Sequence, residues 1–270
     1  MTQQVDGIAG QPESGFLEVN GVRLETLWIP GRTPGPTLVL LHEGLGCVAT
    51  WRDFPVRLAA ETGYPVFVYS RQGYGQSDAC ELPRPLSYMH DEGKRVLPEV
   101  LRAAGIDDFV LVGHSDGGSI ALVYAGEYPQ VSGLRAVITM AAHVFCEDIT
   151  VASIEGARSA YEQGKLDGLR KYHGANTDTA FWGWNRAWLD PLFMSWNIEE
   201  FLPSIAVPLL VIQGREDKYG TLAQVDAIAA QARGPVATCL LENCDHWPHK
   251  EQPALTLSAI GEFLEANAAR

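Results

Sequence analysis

A serine hydroxyl does chemistry only when a turn presents it and a neighbouring base takes its proton. Residues 113–117 read Gly113-His-Ser-Asp-Gly117, a G-x-S-x-G that follows the apolar run Phe109–Val112 and precedes a helical pattern from Gly118. When a strand turns sharply into a helix, the central residue is forced into a strained conformation. Glycine at −2 and +2 then lets the backbone pass without collision. Such a turn holds the Ser115 hydroxyl above the sheet edge, where the N-terminus of the next helix favours negative charge. The same five residues can also be a plain Gly/Ser turn. The matched strand and helix on either side favour a nucleophile.

A nucleophilic serine needs an imidazole, itself oriented by a carboxylate. Of seven histidines, His246 lies in Glu242-Asn-Cys-Asp-His-Trp-Pro-His249, after the last strand pattern and before the final helix. His249 is its competitor; His246 is preferred because it falls closer to the strand end. For the carboxylate, Gln213-Gly-Arg-Glu-Asp217 follows the strand Leu209–Ile212. Asp217 is expected to orient the imidazole, with Glu216 as the nearest rival and a loop or helix-capping Asp as the plain alternative. The order Ser115, Asp217, His246 supports that choice. Two backbone N–H groups must also face the developing oxyanion. One is expected from Asp116, after the serine. The other is assigned to Gly44, in the glycine-rich loop His42-Glu-Gly-Leu-Gly46 that follows the strand Thr37–Leu41. His42 and His114 flank glycine turns and should hydrogen-bond to backbone, and His143 should face a pocket. His90 and His173 read as solvated surface.

These residues need a scaffold. Short, β-branched apolar runs at Thr37–Leu41, Val66–Tyr69, Phe109–Val112, Ala136–Met140 and Leu209–Ile212 suit strands buried on both faces, with Thr238–Leu241 as a last strand. Phe16–Val19 and Val22–Trp28 flank Asn20-Gly21, a pair that suits a type I′ hairpin turn. Helical spacing marks Asp53–Glu61, Asp91–Ala104, Gly118–Tyr128, Ala223–Ala232 and Pro253–Ala266. Alternation of this kind predicts an α/β fold with a mostly parallel sheet. It breaks between Met140 and Pro208, where helical patterns at Ala152–Gln163 and Leu166–His173 precede Phe181-Trp-Gly-Trp-Asn-Arg-Ala-Trp188. A structureless loop of that length is unusual, so a helical insertion is expected. Its tryptophans Trp182, Trp184, Trp188 and Trp196 either pack the insertion onto the core or, in part, line a substrate pocket.

Composition narrows the partners. With 270 residues the chain can bury a sizeable core, and a net charge of −13 argues against nucleic acid or an anionic membrane surface. No apolar run reaches the ~18 residues of a membrane span, and the N-terminus lacks a secretory-signal pattern. Five cysteines without a C-x-x-C pair read as reduced thiols in a cytoplasm. No dinucleotide fingerprint, phosphate loop or metal-spaced His/Cys cluster appears, so no metal and no cofactor is expected. The expected partner is a small-molecule substrate, and a homo-oligomer is compatible with the sequence.

Taken in order, His42-Glu-Gly-Leu-Gly46, Ser70-Arg-Gln-Gly-Tyr-Gly-Gln-Ser77, Gly113-His-Ser-Asp-Gly117, Gly214-Arg-Glu-Asp217 and Asp245-His246 resemble the α/β-hydrolase superfamily over nearly the whole chain, in its serine branch with a helical cap after the sixth strand. The resemblance implies an eight-stranded sheet whose opening hairpin is antiparallel to the rest. It also implies a core of residues 1–142 and 205–270 and a cap at 143–204. A serine at the nucleophile position disfavours the carboxylate-ester chemistry of similar haloalkane dehalogenases and epoxide hydrolases. The implied activity is cleavage of a small, partly apolar ester or thioester, with Trp182, Trp184, Trp188 and His143 touching substrate. Hydrolysis of a C–C bond in a diketone-like substrate and non-catalytic binding are the alternatives. The chain departs from the family pattern at Glu43 and Asp245, where glycine is usual. Glu43 is expected either to pair with Arg71 beneath the oxyanion loop or to point to water.

Overall fold

The computed structural model describes residues 10–267. Eight strands form one sheet in the order β1-β2-β4-β3-β5-β6-β7-β8: β1 (Glu13–Val19), β2 (Val22–Ile29), β3 (Thr37–Leu41), β4 (Val66–Tyr69), β5 (Phe109–His114), β6 (Leu134–Met140), β7 (Leu209–Gly214) and β8 (Val236–Leu241). Strands β4 to β8 and β3 pair in parallel. Asn20 and Gly21 both take positive φ (53° and 79°), as the type I′ turn requires. One expectation needs correction. Only β2 runs against the others, because β1 is antiparallel to β2 and β2 is antiparallel to β4. Two reversals bring β1 back to the common direction.

The central strands carry apolar residues on both faces. Leu38, Leu40, Val110, Val112, Ile138 and Ile212 pack one way, under Trp51, Phe54, Leu58 and the C-terminal helix Pro253–Asn267. Val39, Leu41, Leu111, Val137 and Val211 pack the other way, against Leu97, Val100 and the helix Asp116–Glu127. That second helix is buried from Asp116 to Gly126, which accounts for its nearly continuous apolar sequence. All five cysteines are unbridged. Among the described residues no helix is long and apolar enough to cross a membrane.

The helix expected over Asp91–Ala104 divides in two. Glu92–Val96 forms a wider π turn and the α-helix starts at Leu97. Pro98 has no N–H to give the Lys94 carbonyl, and the Tyr128 hydroxyl takes that place at 2.6 Å.

Between β6 and β7 the chain is helical, with long helices at Asp148–Glu162 and Thr177–Trp188. Buried Asn185 ties them together, donating to the Ile154 carbonyl (3.1 Å) and accepting from Arg158 Nε (3.0 Å). His173 and Asn176 tie the segment to the core. The His173 ring faces the Gly75 N–H and the Leu45 carbonyl, each at 3.0 Å, and Asn176 donates to the carbonyls of Gly75 and Ser77. His173 is therefore buried, not solvated. His90 is half-buried beside Trp196 and Phe201. Neither contact leaves a trace in local sequence, because each partner is remote in the chain.

Two glycines set the spacing of the serine turn. A Cβ on Gly113 would stand 2.2 Å from the Gly117 carbonyl oxygen, and one on Gly117 would stand 2.0 Å from that of Leu41. Both obstacles are backbone and cannot swing away. Gly117→Ala should therefore lower stability by more than about 2 kcal/mol in chemical denaturation; a loss within error would show that the turn can relax.

Candidate active site

Ser115 sits at the end of β5 with φ 52° and ψ −118°, a conformation rarely open to a side-chain-bearing residue. Its N–H is held by the Met140 carbonyl at 2.8 Å, and its own carbonyl accepts from the N–H groups of Gly118 and Ser119. So fixed, Oγ lies 3.0 Å from His246 Nε2. On the far side of the ring, His246 Nδ1 lies 2.8 Å from Asp217 Oδ2 and 3.0 Å from Oδ1. All three residues are buried. Because Nδ1 faces a carboxylate it carries the ring proton, which leaves Nε2 as acceptor for the serine hydroxyl.

The carboxylate is held by more than the histidine. Gln213 Nε2 donates to Oδ2 at 2.8 Å and the Tyr219 N–H to Oδ1 at 2.7 Å. Burial works to raise the Asp217 pKa, but the charge and hydrogen bond of His246 and the Tyr219 amide outweigh it and hold it below the ordinary value. Glu216 points elsewhere, accepting from the amides of Asn243 and Cys244. The helix after this loop is capped by Thr221, not by Asp217. His249 is packed among Trp51, Phe54 and His114, away from the serine. His114 donates from Nε2 to the His246 carbonyl at 2.7 Å, and Asp245 accepts from the N–H (3.0 Å) and Nζ (2.6 Å) of Lys218. Together these contacts fix the loop that carries His246 against the loop that carries Asp217.

Ser115, Asp116, Gly44 and His246 line one cavity of about 50 Å³, with His143, Ile154, Trp184 and Trp188 on its other walls. Neither the Gly44 nor the Asp116 N–H meets a protein acceptor among the described residues. A Cβ on Gly44 would fall 2.2 Å from the Trp184 indole nitrogen, so only glycine fits beneath that ring. His143 lies against Trp188 and donates from Nε2 to the Tyr219 carbonyl at 3.0 Å. Trp182 does not reach the cavity. It packs on Tyr161 and Phe181 with Arg186 over its face, while Trp196 stacks on Phe193 and meets Trp188 at a tilt. On one helix, positions 184 and 188 share the inward face, whereas 182 is turned about 200° from 184.

The model of the alpha/beta hydrolase family matches residues 38–259, from β3 to part-way along the C-terminal helix, and so takes in Ser115, Asp217 and His246. The chain belongs to the alpha/beta hydrolase family. It is a hydrolase, and its similarity to named relatives is low throughout. Epoxide hydrolase A of Mycobacterium tuberculosis is 24% identical over 94% of this chain and 98% of its own length. A 2-hydroxy-6-oxononadienedioate/2-hydroxy-6-oxononatrienedioate hydrolase of Comamonas testosteroni is 23% identical over 80% of this chain and 83% of its own. An esterase structure from Exiguobacterium antarcticum shares the fold at a TM-score of 0.73, with 18% identity over 94% of this chain and all of that one.

Beneath the cavity of this hydrolase lies a buried polar chain that sequence reasoning did not find. Trp188 Nε1 donates to the Tyr88 hydroxyl (2.9 Å), which donates to Asp116 Oδ2 (2.6 Å). Arg71 Nη2 lies 3.7 Å from that same oxygen and donates to the Glu43 backbone carbonyl at 3.1 Å. Arg71 thus joins the two loops that carry Asp116 and Gly44, but the expected Glu43–Arg71 ion pair does not form. The Glu43 carboxylate turns the opposite way, to Lys250 Nζ at 3.7 Å. Burial raises its pKa, and Lys250 together with His246 and His249 lowers it by more, leaving it below the ordinary value. Asp116 already offers the guanidinium a carboxylate from inside the core. Lys250 offers Glu43 a cation near the surface, where less desolvation is needed.

A carboxylate whose folded pKa is depressed adds stability above its unfolded pKa and loses it as pH falls through the folded value. Lys250→Met should therefore lower stability by up to about 1 kcal/mol at pH 7. The difference from the parent should close as acid protonates Glu43. Denaturation midpoints at pH 7 and pH 3 test this, and a deficit that persists at pH 3 would assign the loss to packing.

Proposed function

We propose that this hydrolase cleaves a small, partly apolar carboxylic ester or thioester through an acyl-enzyme on Ser115. The observation that carries the proposal is the unbroken line from Ser115 Oγ through the His246 ring to Asp217, built on a serine held in a strained turn. In this reading His246 Nε2 takes the hydroxyl proton as Oγ attacks the acyl carbon. The new O–C bond pushes charge onto the carbonyl oxygen, where the Gly44 and Asp116 amides receive it. Collapse breaks the bond to the leaving oxygen or sulfur, which takes the proton from His246. Water then repeats the sequence, freeing a carboxylic acid and restoring the serine. Asp217 keeps the imidazole in the required tautomer and stays ionised.

The helical segment near 143–204 acts as a cap in this scheme. Trp184 and Trp188 reach the cavity from above, and His143 closes it from the end of β6. A small-molecule substrate fits the scale of that enclosure. The similarity to the Comamonas enzyme favours a second reading, hydrolysis of a C–C bond by the same three residues.

Ser115→Ala should reduce kcat by about 10⁴–10⁶-fold, and a fluorophosphonate should label Ser115 in the parent and not in the variant. Labelling at another residue would reject the assignment. For p-nitrophenyl ester hydrolysis, kcat/KM should fall on the acid side, since a protonated imidazole accepts no proton. His246→Ala should be nearly inactive and His249→Ala mostly active; the reverse result would move the base to His249. Turnover of a diketone-like substrate without ester turnover would select the second reading.

A further inference from the structure

The small cavity at Ser115 adjoins a second, wider chamber. The inner cavity holds about 50 Å³ and the outer about 500 Å³, and they share Glu43, Leu45, Tyr219 and Trp247 as walls. At about 10–15 Å³ for each water-sized group, the inner space takes only a few heavy atoms. The outer chamber is lined by Ala157, Ala160, Leu166 and Leu169 from the helical segment, facing Trp247 and Leu45 from the core loops. Two of its three cations are already engaged, Lys218 by Asp245 and Lys250 by Glu43. The rest of its wall is mainly apolar.

The two spaces are not equivalent with respect to the reacting groups. The oxyanion donors Gly44 and Asp116 border the inner cavity and not the outer one. His246 borders the inner cavity as well, and Tyr219 and Trp247, whose rings lie 4.6 and 5.4 Å from its imidazole, border both spaces. The leaving atom must face His246, because its proton comes from Nε2. A leaving group that faces His246 is therefore directed along Tyr219 and Trp247 toward the outer chamber, while the acyl group stays beside the oxyanion donors in the inner cavity.

We propose that the natural substrate joins a short acyl group, about two to four carbons long, to a bulky and mainly apolar alcohol or thiol. The acyl group occupies the inner cavity and the alcohol or thiol the outer chamber. This rests on the serine-hydrolase reading above. On attack the Ser115 Oγ–C bond forms and the bond from carbon to the leaving oxygen or sulfur breaks. The leaving group takes its proton from His246 and departs through the outer chamber.

Two ester series test the division. With acetate as the acyl group, kcat/KM should rise from ethyl to benzyl to naphthylethyl alcohol. With p-nitrophenol as the leaving group, it should fall at least about tenfold from acetate to octanoate. Gly156 lines the outer chamber, and no atom lies within 4 Å of where its Cβ would stand, so a larger side chain there fills space without a clash. Gly156→Leu, and separately Ala160→Leu, should lower kcat/KM for naphthylethyl acetate about tenfold. Ethyl acetate turnover, the rate of Ser115 labelling and the melting temperature should stay unchanged. A preference for octanoate over acetate, or variants that impair long-chain acyl esters while sparing naphthylethyl acetate, overturns the division and leaves the serine-hydrolase reading intact. Absence of both ester turnover and Ser115 labelling in the parent overturns the two together.

Discussion

The backbone of Ser115, bent to φ 52° between two glycines that touch carbonyl oxygens, is the constraint on which the rest of the site depends. The bend aims Oγ out of the sheet and turns the Asp116 N–H toward the same space. It also starts a helix that is buried from Asp116 to Gly126. A residue held in such a conformation is costly unless its surroundings over-determine it. Here they do, through the Met140 carbonyl on one side and the first helical turn on the other. Sheet order, helix burial and the serine turn are thus one interlocked arrangement, and the loops that carry Asp217 and His246 attach to it.

Those two loops are fixed mainly by polar contacts between them. Glu216 accepts from the amides of Asn243 and Cys244 and Asp245 grips Lys218, while His114, at the end of β5, donates to the His246 carbonyl and ties that loop to the sheet. Asp245 stands where glycine is usual in the family, and its side chain supplies a cross-link that glycine lacks. Glu43, the other departure, fits into the Gly44 loop because its carboxylate swings to Lys250 while its backbone carbonyl accepts from Arg71. One residue therefore answers two cations, one through each part of its structure.

The helical segment works through a division of its aromatic residues. Trp184 and Trp188 reach the inner cavity, whereas Trp182, Trp196, Phe181 and Phe193 hold the segment together. Trp188 belongs to both groups, since its indole nitrogen also begins the polar chain that ends at Arg71. The cavity wall and the loops that carry Asp116 and Gly44 are mechanically joined through that chain. The outer chamber is bounded mainly by apolar side chains, among them Leu45, Ala157, Leu166, Leu169 and Trp247, so it defines a volume more than a set of directed contacts.

Much of this was legible in the sequence, because the governing rules are local. Glycine spacing, the Asn20-Gly21 turn and the short apolar strands each act within a few residues, and they specified the sheet, the serine turn and the chain order Ser115, Asp217, His246. Only tertiary structure could choose among candidates that local rules treat alike. His246 and His249 lie three residues apart, yet one meets Ser115 from 131 positions away and the other is sealed among aromatics. The same holds for Glu216 and Asp217, and for Trp182 and Trp184. Which cation meets which carboxylate also depended on the fold. Arg71 went to Asp116 and Lys250 to Glu43, because the cost of removing each charge from water depends on the depth at which folding leaves it.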